Sequence, residues 1–129
     1  MQLSYTILYV ADVNRSIRFY KAALGLKHRF THESGDYAEM ETGATTLAFC
    51  NSVLAKDILK QEYLQSVPHR PPLGTQLTFE PKDMKQAFET AVKHGAAVVS
   101  APEIKPWDFE VAMLRDPDGH LVELARKVE

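Results

Sequence analysis

Few residues of this chain have the type and spacing to do chemistry. His28 and His32 stand four apart, which on a helix would aim two imidazoles at one zinc ion, but Arg29 replaces the general-base glutamate that such a helix carries. The segment also reads as a strand, where four residues separate the two rings by ~13 Å, too far to share an ion. Both histidines are therefore expected to face solvent. Asp116 and Asp118 could serve as an acid/base pair. They stand in Asp116-Pro117-Asp118-Gly119, where proline presets φ and glycine accepts φ > 0, so the pair is assigned to a tight turn. Cys50 is the only cysteine. No helix N-terminus or cation stands near it in sequence to lower its pKa, and in Leu47-Ala48-Phe49-Cys50 it reads as a buried small hydrophobe, with a cleft thiol as the other reading.

The elements that must position these residues come in two rounds. Residues 3–10 (LSYTILYV) are β-branched and aromatic and read as a strand. Asp12-Val13-Asn14 supplies N-cap chemistry for a helix over 14–24, whose apolar positions Ile17, Phe19, Tyr20, Ala23 and Leu24 recur at helical spacing up to Gly25. Three short strands follow, over 27–33, 37–42 and 45–51, with turn signals at Ser34-Gly35 and Thr42-Gly43. The second half repeats the order: a strand over 75–80, a helix over 81–94 closed by Gly95, and strands over 97–100, 108–115 and 120–126. The helices align, Phe19 to Gly25 against Phe88 to Gly95 with one residue inserted. The chain thus reads as one α+β domain over 1–129, made of two tandem βαβββ units forming a curved mixed sheet around a cleft. Unit one spans about 1–51, unit two about 73–129. Residues 52–72 form a partly helical linker with a Pro-stiffened tail, from which His69 and Arg70 either reach an anionic ligand group or are solvated.

Composition narrows the function classes. The 129 residues suffice for one self-sustaining core. Fifteen basic and seventeen acidic side chains give a net charge of −2 with no run of like charge, which argues against nucleic acid or an anionic membrane as partner. No apolar stretch approaches the ~20 residues of a membrane span, and Met1-Gln2-Leu3-Ser4-Tyr5 has no signal-like pattern. A soluble, cytoplasmic protein is therefore expected, and with one cysteine neither an internal disulfide nor a Cys-rich zinc module can form.

Several motifs in one order carry a resemblance. They are residues 13–20 (VNRSIRFY), Leu24-Gly25-Leu26, Gly95-Ala96, and above all residues 115–124 (RDPDGHLVEL). Together they resemble the vicinal oxygen chelate superfamily, which contains glyoxalase I, bleomycin-resistance proteins and extradiol dioxygenases. In its metalloenzymes each unit gives two ligands, one early in its first strand and one on its last. The resemblance carries these places onto Tyr5, Ala48, Gln76 and Glu123. Of these, only Glu123 is a freely used ligand type; glutamine is occasional, a phenol is rare and a methyl group cannot coordinate. A hard cation wants several oxygen or imidazole donors, so no metal and no other cofactor is expected.

The resemblance also implies which faces line the cleft. Alternation from those four places adds Ile7 and Tyr9 to Tyr5, Thr46 and Cys50 to Ala48, Thr78 to Gln76, and Leu121 and Ala125 to Glu123. Trp107 and Phe109, after Lys105-Pro106, are expected at its rim. The expected ligand-binding set is therefore Tyr5, Ile7, Tyr9, Ala48, Cys50, Gln76, Thr78, Trp107 and Phe109, an aromatic and aliphatic lining suited to a small, planar or apolar organic molecule. Metal-independent sequestration or carriage, as in the bleomycin-resistance branch, is the first functional expectation. Another is an enzyme of the superfamily in which Glu123 is the catalytic base or an atypical metal site operates. A structural or regulatory module with a filled cleft is the third. A homodimer is expected, because exposed sheet edges and apolar faces call for a partner.

Overall fold

The computed structural model describes residues 1–128. Its elements run β1 (Tyr5–Val10), α1 (Val13–Leu24), β2 (Lys27–Thr31), β3 (Tyr37–Glu41), β4 (Thr46–Asn51), α2 (Ser52–Leu59), β5 (Gln76–Phe79), α3 (Met84–Lys93), β6 (Ala97–Ile104), β7 (Phe109–Arg115) and β8 (Leu121–Lys127). Among the described residues, 1–21 with 25–65 form one compact unit, and 22–24 with 66–128 form a second.

The two rounds inferred from sequence share one topology. In the first unit the four-stranded sheet has order β1-β4-β3-β2, with β1 parallel to β4 and the other pairs antiparallel. In the second the order is β5-β8-β7-β6, with β5 parallel to β8. Parallel pairing needs a long crossover, which α1 with β2 and β3 supplies in one case and α3 with β6 and β7 in the other. The fold is α+β, each βαβββ unit carrying its own mixed sheet.

Local chemistry sets the helix ends. The Asp12 carboxylate accepts from the Arg15 amide at 3.1 Å, and Gly25 closes α1 at φ +70°. The Asp83 side chain caps α3 in the same way through the Gln86 amide, so that helix begins at Met84 rather than at Pro81 as the sequence suggested. Strand β6 runs on to Ile104, past the Ser100 expected as its end. It does so through Pro102, which an edge strand tolerates, and the register shifts between Ser100 and Glu103 around it.

One face of each sheet holds a core. In the first unit Val10, Ala38, Met40, Leu47 and Phe49 are buried with Tyr20 of α1, whose ring lies 5.2 Å from Phe49. In the second, Ala112, Leu114, Val122 and Leu124 are buried, as are Met84 and Ala91 of α3. The turn at Asp116 is structural, as its sequence suggested: its Oδ1 accepts from the amides of Asp118 and His120, both at 2.9 Å. Arg115 donates to the carbonyls of Gly119 (2.8 Å), Val67 (3.0 Å) and Pro68 (3.3 Å), strapping the chain after α2 onto that turn.

Candidate functional site

Strands β1, β3 and β4 align one face of the first sheet. In β1 and β4, Tyr5 pairs with Thr46, Ile7 with Ala48 and Tyr9 with Cys50, and β3 adds Tyr37 opposite Cys50 and Glu39 opposite Ala48. Tyr5, Ile7, Tyr9, Ala48 and Cys50 of the expected set therefore share this face. At its β4 C-terminal end lies a cavity of about 520 Å³, within the size range of small-molecule sites. Ile7, Tyr9 and Cys50 form its floor and Leu54, Ala55 and Ile58 of α2 its apolar wall. His32, Ser34, Asp36 and Tyr37 close it with a polar edge. Tyr9 packs edge-on against Tyr63, ring centroids 5.0 Å apart, which steadies the Tyr9 ring in the floor. Tyr5 and Ala48 lie on the same face outside the cavity lining.

The polar edge is built by the β2–β3 turn. The Ser34 amide donates to His32 Nδ1 at 3.1 Å, the Ser34 hydroxyl lies 2.9 Å from the same nitrogen, and the Asp36 amide donates to that hydroxyl at 3.2 Å. Because Nδ1 accepts a backbone N–H, the proton of neutral His32 sits on Nε2. The Asn51 amide donates to the Asp36 carbonyl at 2.8 Å and the His32 amide to the Tyr37 carbonyl at 2.9 Å, tying the turn to the sheet. Burial pushes the Cys50 thiol up from its ordinary pKa, and the charge of Asp36 adds to that. Cys50 is thus a buried thiol that also lines the cavity, not an activated nucleophile.

A second polar group lies alongside. A β-bulge sets Arg29 and Phe30 of β2 together against Glu39, so the Arg29 side chain reaches across three strands. It donates to Glu41 at 2.9 Å, Glu39 at 3.3 Å and Thr46 at 3.0 Å, while Tyr37 donates to the other Glu39 oxygen at 2.8 Å. Burial, then this bond to Glu39, raises the Tyr37 phenol well above the usual tyrosine range. His32, weighed from sequence only as half of a zinc pair and assigned to solvent, stands at the edge of the cavity, and Asp36, Tyr37, Arg29 and Glu39 are not marked as site residues by the sequence. Alternation along β3 was the available signal for Tyr37 and Glu39, but nothing in the sequence marks the bulge that turns Arg29 toward them.

In the second unit, Gln76, Thr78 and Glu123 come together. Gln76 Nε2 donates to the Thr78 hydroxyl at 3.1 Å, and that hydroxyl donates to Glu123 Oε1 at 3.1 Å. Phe109, Val111 and Met113 share the Glu123 face through the β7–β8 register. Trp107 stands at the tip of the β6–β7 hairpin and is 65% exposed, so it belongs to no core. His69 and Arg70 are exposed.

The four places that the vicinal oxygen chelate resemblance assigns to metal ligands do not make a good donor set. Ala48 is fully buried and offers a methyl group, and Glu123 and Gln76 are both engaged through Thr78. Among the described residues no three His, Cys, Asp or Glu side chains converge to hold an ion. No helix among them is long and apolar enough to cross a membrane.

The model of the glyoxalase-like domain matches residues 3–129. This chain belongs to the glyoxalase-like domain family. A lactoylglutathione lyase of Neisseria meningitidis serogroup A is 30% identical to this glyoxalase-like domain, over 98% of this chain and 91% of that one. Two solved structures share its fold. A glyoxalase-related enzyme from Fulvimarina pelagi superposes with TM-score 0.84 at 20% identity, covering 97% of this chain and 87% of that one. A glyoxalase/bleomycin resistance protein/dioxygenase family enzyme from Burkholderia phytofirmans PsJN superposes with TM-score 0.85 at 17% identity, covering 99% and 100%. In this glyoxalase-like domain the place on β4 that the resemblance gives to a metal ligand holds the methyl group of Ala48.

Proposed function

We propose that this glyoxalase-like domain binds a small organic molecule, aromatic or otherwise apolar, and sequesters or carries it without a resident metal ion. The observation that carries the reading is the cavity of about 520 Å³, with its apolar floor, its α2 wall and a Tyr9 ring steadied by Tyr63. Area burial on such walls supplies affinity, and the few polar groups at one edge supply orientation. The donor chemistry at Tyr5, Ala48, Gln76 and Glu123 supports the metal-free part. Native mass spectrometry of the purified protein, followed by titration with planar aromatics, is the test. A bound organic mass or saturable binding supports the reading, and no binding by a folded protein removes it. Elemental analysis giving about one transition-metal ion per chain after mild chelation would remove the metal-free part alone.

A second reading is an enzyme, supported by the 30% identity to a lactoylglutathione lyase and by the Gln76–Thr78–Glu123 chain of hydrogen bonds. Here Glu123 is the base, its free oxygen open to a substrate proton. Turnover of lactoylglutathione that is lost in Glu123→Gln would favour it.

We also propose a homodimer. Tyr5 (49% exposed), Ile7 (45%) and Phe30 (46%) lie on the open face of the first sheet, apolar surface of a kind that a second copy covers. Sedimentation at monomer mass in the micromolar range would refute it. A cytoplasmic setting, where Cys50 stays reduced, fits the same reading.

A further inference from the structure

We infer that the ligand of the first-unit cavity is an organic cation: an apolar body carrying a protonated amine that pairs with Asp36. This rests on the cavity being a binding site and names the class of molecule it selects.

Among the residues that line the cavity, Asp36 alone carries a formal charge when His32 is neutral. Its carboxylate accepts no hydrogen bond from the described residues; the bonds of Asp36 run through its backbone amide and carbonyl. Glu39, the nearest acid on the neighbouring strand, differs in that Arg29 and Tyr37 hold both its oxygens. The structure thus neutralises one carboxylate on this face and leaves the other open to the cavity. A neutral ligand that filled the apolar part would strip water from Asp36 and give nothing in return, and an anion would add repulsion. An ammonium group replaces that water with a charge-assisted hydrogen bond, and two aromatic side chains, Tyr9 and Tyr37, line the same cavity. The turn is pre-set: the His32–Ser34–Asp36 bonds and the Asn51 amide fix the Asp36 backbone before any ligand arrives, so little ordering is left for binding. His32 presents Nε2–H at the same edge and can donate to a ligand oxygen beside the amine.

The experiment compares three probes with one naphthalene body, 2-naphthylmethylamine, 2-naphthalenemethanol and 2-naphthoate, titrated calorimetrically at pH 7. The amine is expected to bind about ten- to a hundredfold more tightly than the alcohol, and the carboxylate most weakly. Asp36→Asn should erase the gap between amine and alcohol, weakening the amine while the alcohol binds no more weakly than to the parent, because the desolvation cost of the carboxylate is gone. Leu54→Trp, which narrows the cavity, should weaken both. Equal affinity for the three probes, or an amine preference that survives Asp36→Asn, overturns the inference and leaves the cavity reading standing. Amine binding untouched by Leu54→Trp places it elsewhere and overturns the inference. No binding of any probe to a protein that melts cooperatively overturns both.

Discussion

Glu39 lies directly opposite Ala48 in the β3–β4 register, and its carboxylate is held from one side by Arg29 and from the other by Tyr37. Ala48 stands where the family resemblance puts a metal ligand, so the face is wired for an internal salt bridge beside a methyl group rather than for coordination. Restoring a carboxylate there should be costly. Ala48 is fully buried, and Ala48→Glu adds both volume and a like charge across from Glu39. We expect a loss of about 1–3 kcal/mol from overpacking, plus an electrostatic part that Glu39→Gln recovers. Urea unfolding of the two single variants and the double variant reads both. If Glu39→Gln gives no recovery, the two positions do not share a field.

Tyr37 should make the protein sensitive to alkali. Its pKa is raised in the folded state, by burial first and by the Glu39 bond second, above its ordinary value of 10.0. The unfolded chain therefore loses the phenolic proton first as pH rises past 10, and the folded chain holds more protons there. Stability then falls with pH. At pH 8, Tyr37→Phe should be less stable than the parent by about 0.5–1.5 kcal/mol for the lost hydrogen bond. The gap should narrow steadily above pH 10, as read from urea midpoints. A constant gap would show that Tyr37 titrates normally.

The fold was legible because its signals are local and repeated. Asp12 and Gly25 bracket α1, Asp116-Pro117-Asp118-Gly119 closes the last hairpin, and the same order of elements occurs twice. The strand faces were legible too: alternation groups Ile7 with Tyr9 on β1, and the resemblance sets Cys50 of β4 on the face that they share. The acidic edge of the cavity was not. Asp36 takes its place from a turn whose bonds run among His32, Ser34 and the backbone of Asn51, and no spacing rule encodes that closure. Arg29 reaches Glu39 only through a bulge, a one-residue shift that reverses the alternation on which the sequence reading depends. Pro102 hid the second half of β6, because proline argues against a strand except at an edge.

Gly119 should tolerate no side chain. Its φ is +88°, and an added Cβ would lie 2.8 Å from the Val67 carbonyl carbon and oxygen and 2.6 Å from Arg115 Nη2. The arginine tip can move, but the Val67 backbone is the acceptor that Arg115 uses to strap this segment down. Gly119→Ala is expected to cost about 1–3 kcal/mol in backbone strain alone, with more from the clash. A thermal melt within a degree of the parent would contradict this packing. Gly35→Ala is the matched control: its φ is +78° with open space around it, so it should carry the strain without the clash.

Trp107 supplies the last prediction, one that separates a ligand anchor from a structural residue. The β6–β7 turn is closed by the Asp108 amide donating to the Lys105 carbonyl at 3.0 Å and the Lys105 amide to the Phe109 carbonyl at 2.7 Å. This turn holds the indole at its tip, and an indole 65% exposed contributes little to the core. Trp107→Ala should therefore change stability by no more than ~0.5 kcal/mol, as at other surface positions. Tryptophan is also the residue type most often found as a binding anchor, and truncating an anchor costs ~2 kcal/mol or more. If Trp107 contacts ligand, the same substitution should weaken binding of a planar aromatic by at least ~30-fold, and titration of the parent should quench its fluorescence, free of other indoles because it is the only tryptophan. Stability and affinity can thus be read independently at this position, which a buried tryptophan would not allow. Saturable binding with neither quenching nor an affinity loss in Trp107→Ala would remove Trp107 from the ligand-binding residues.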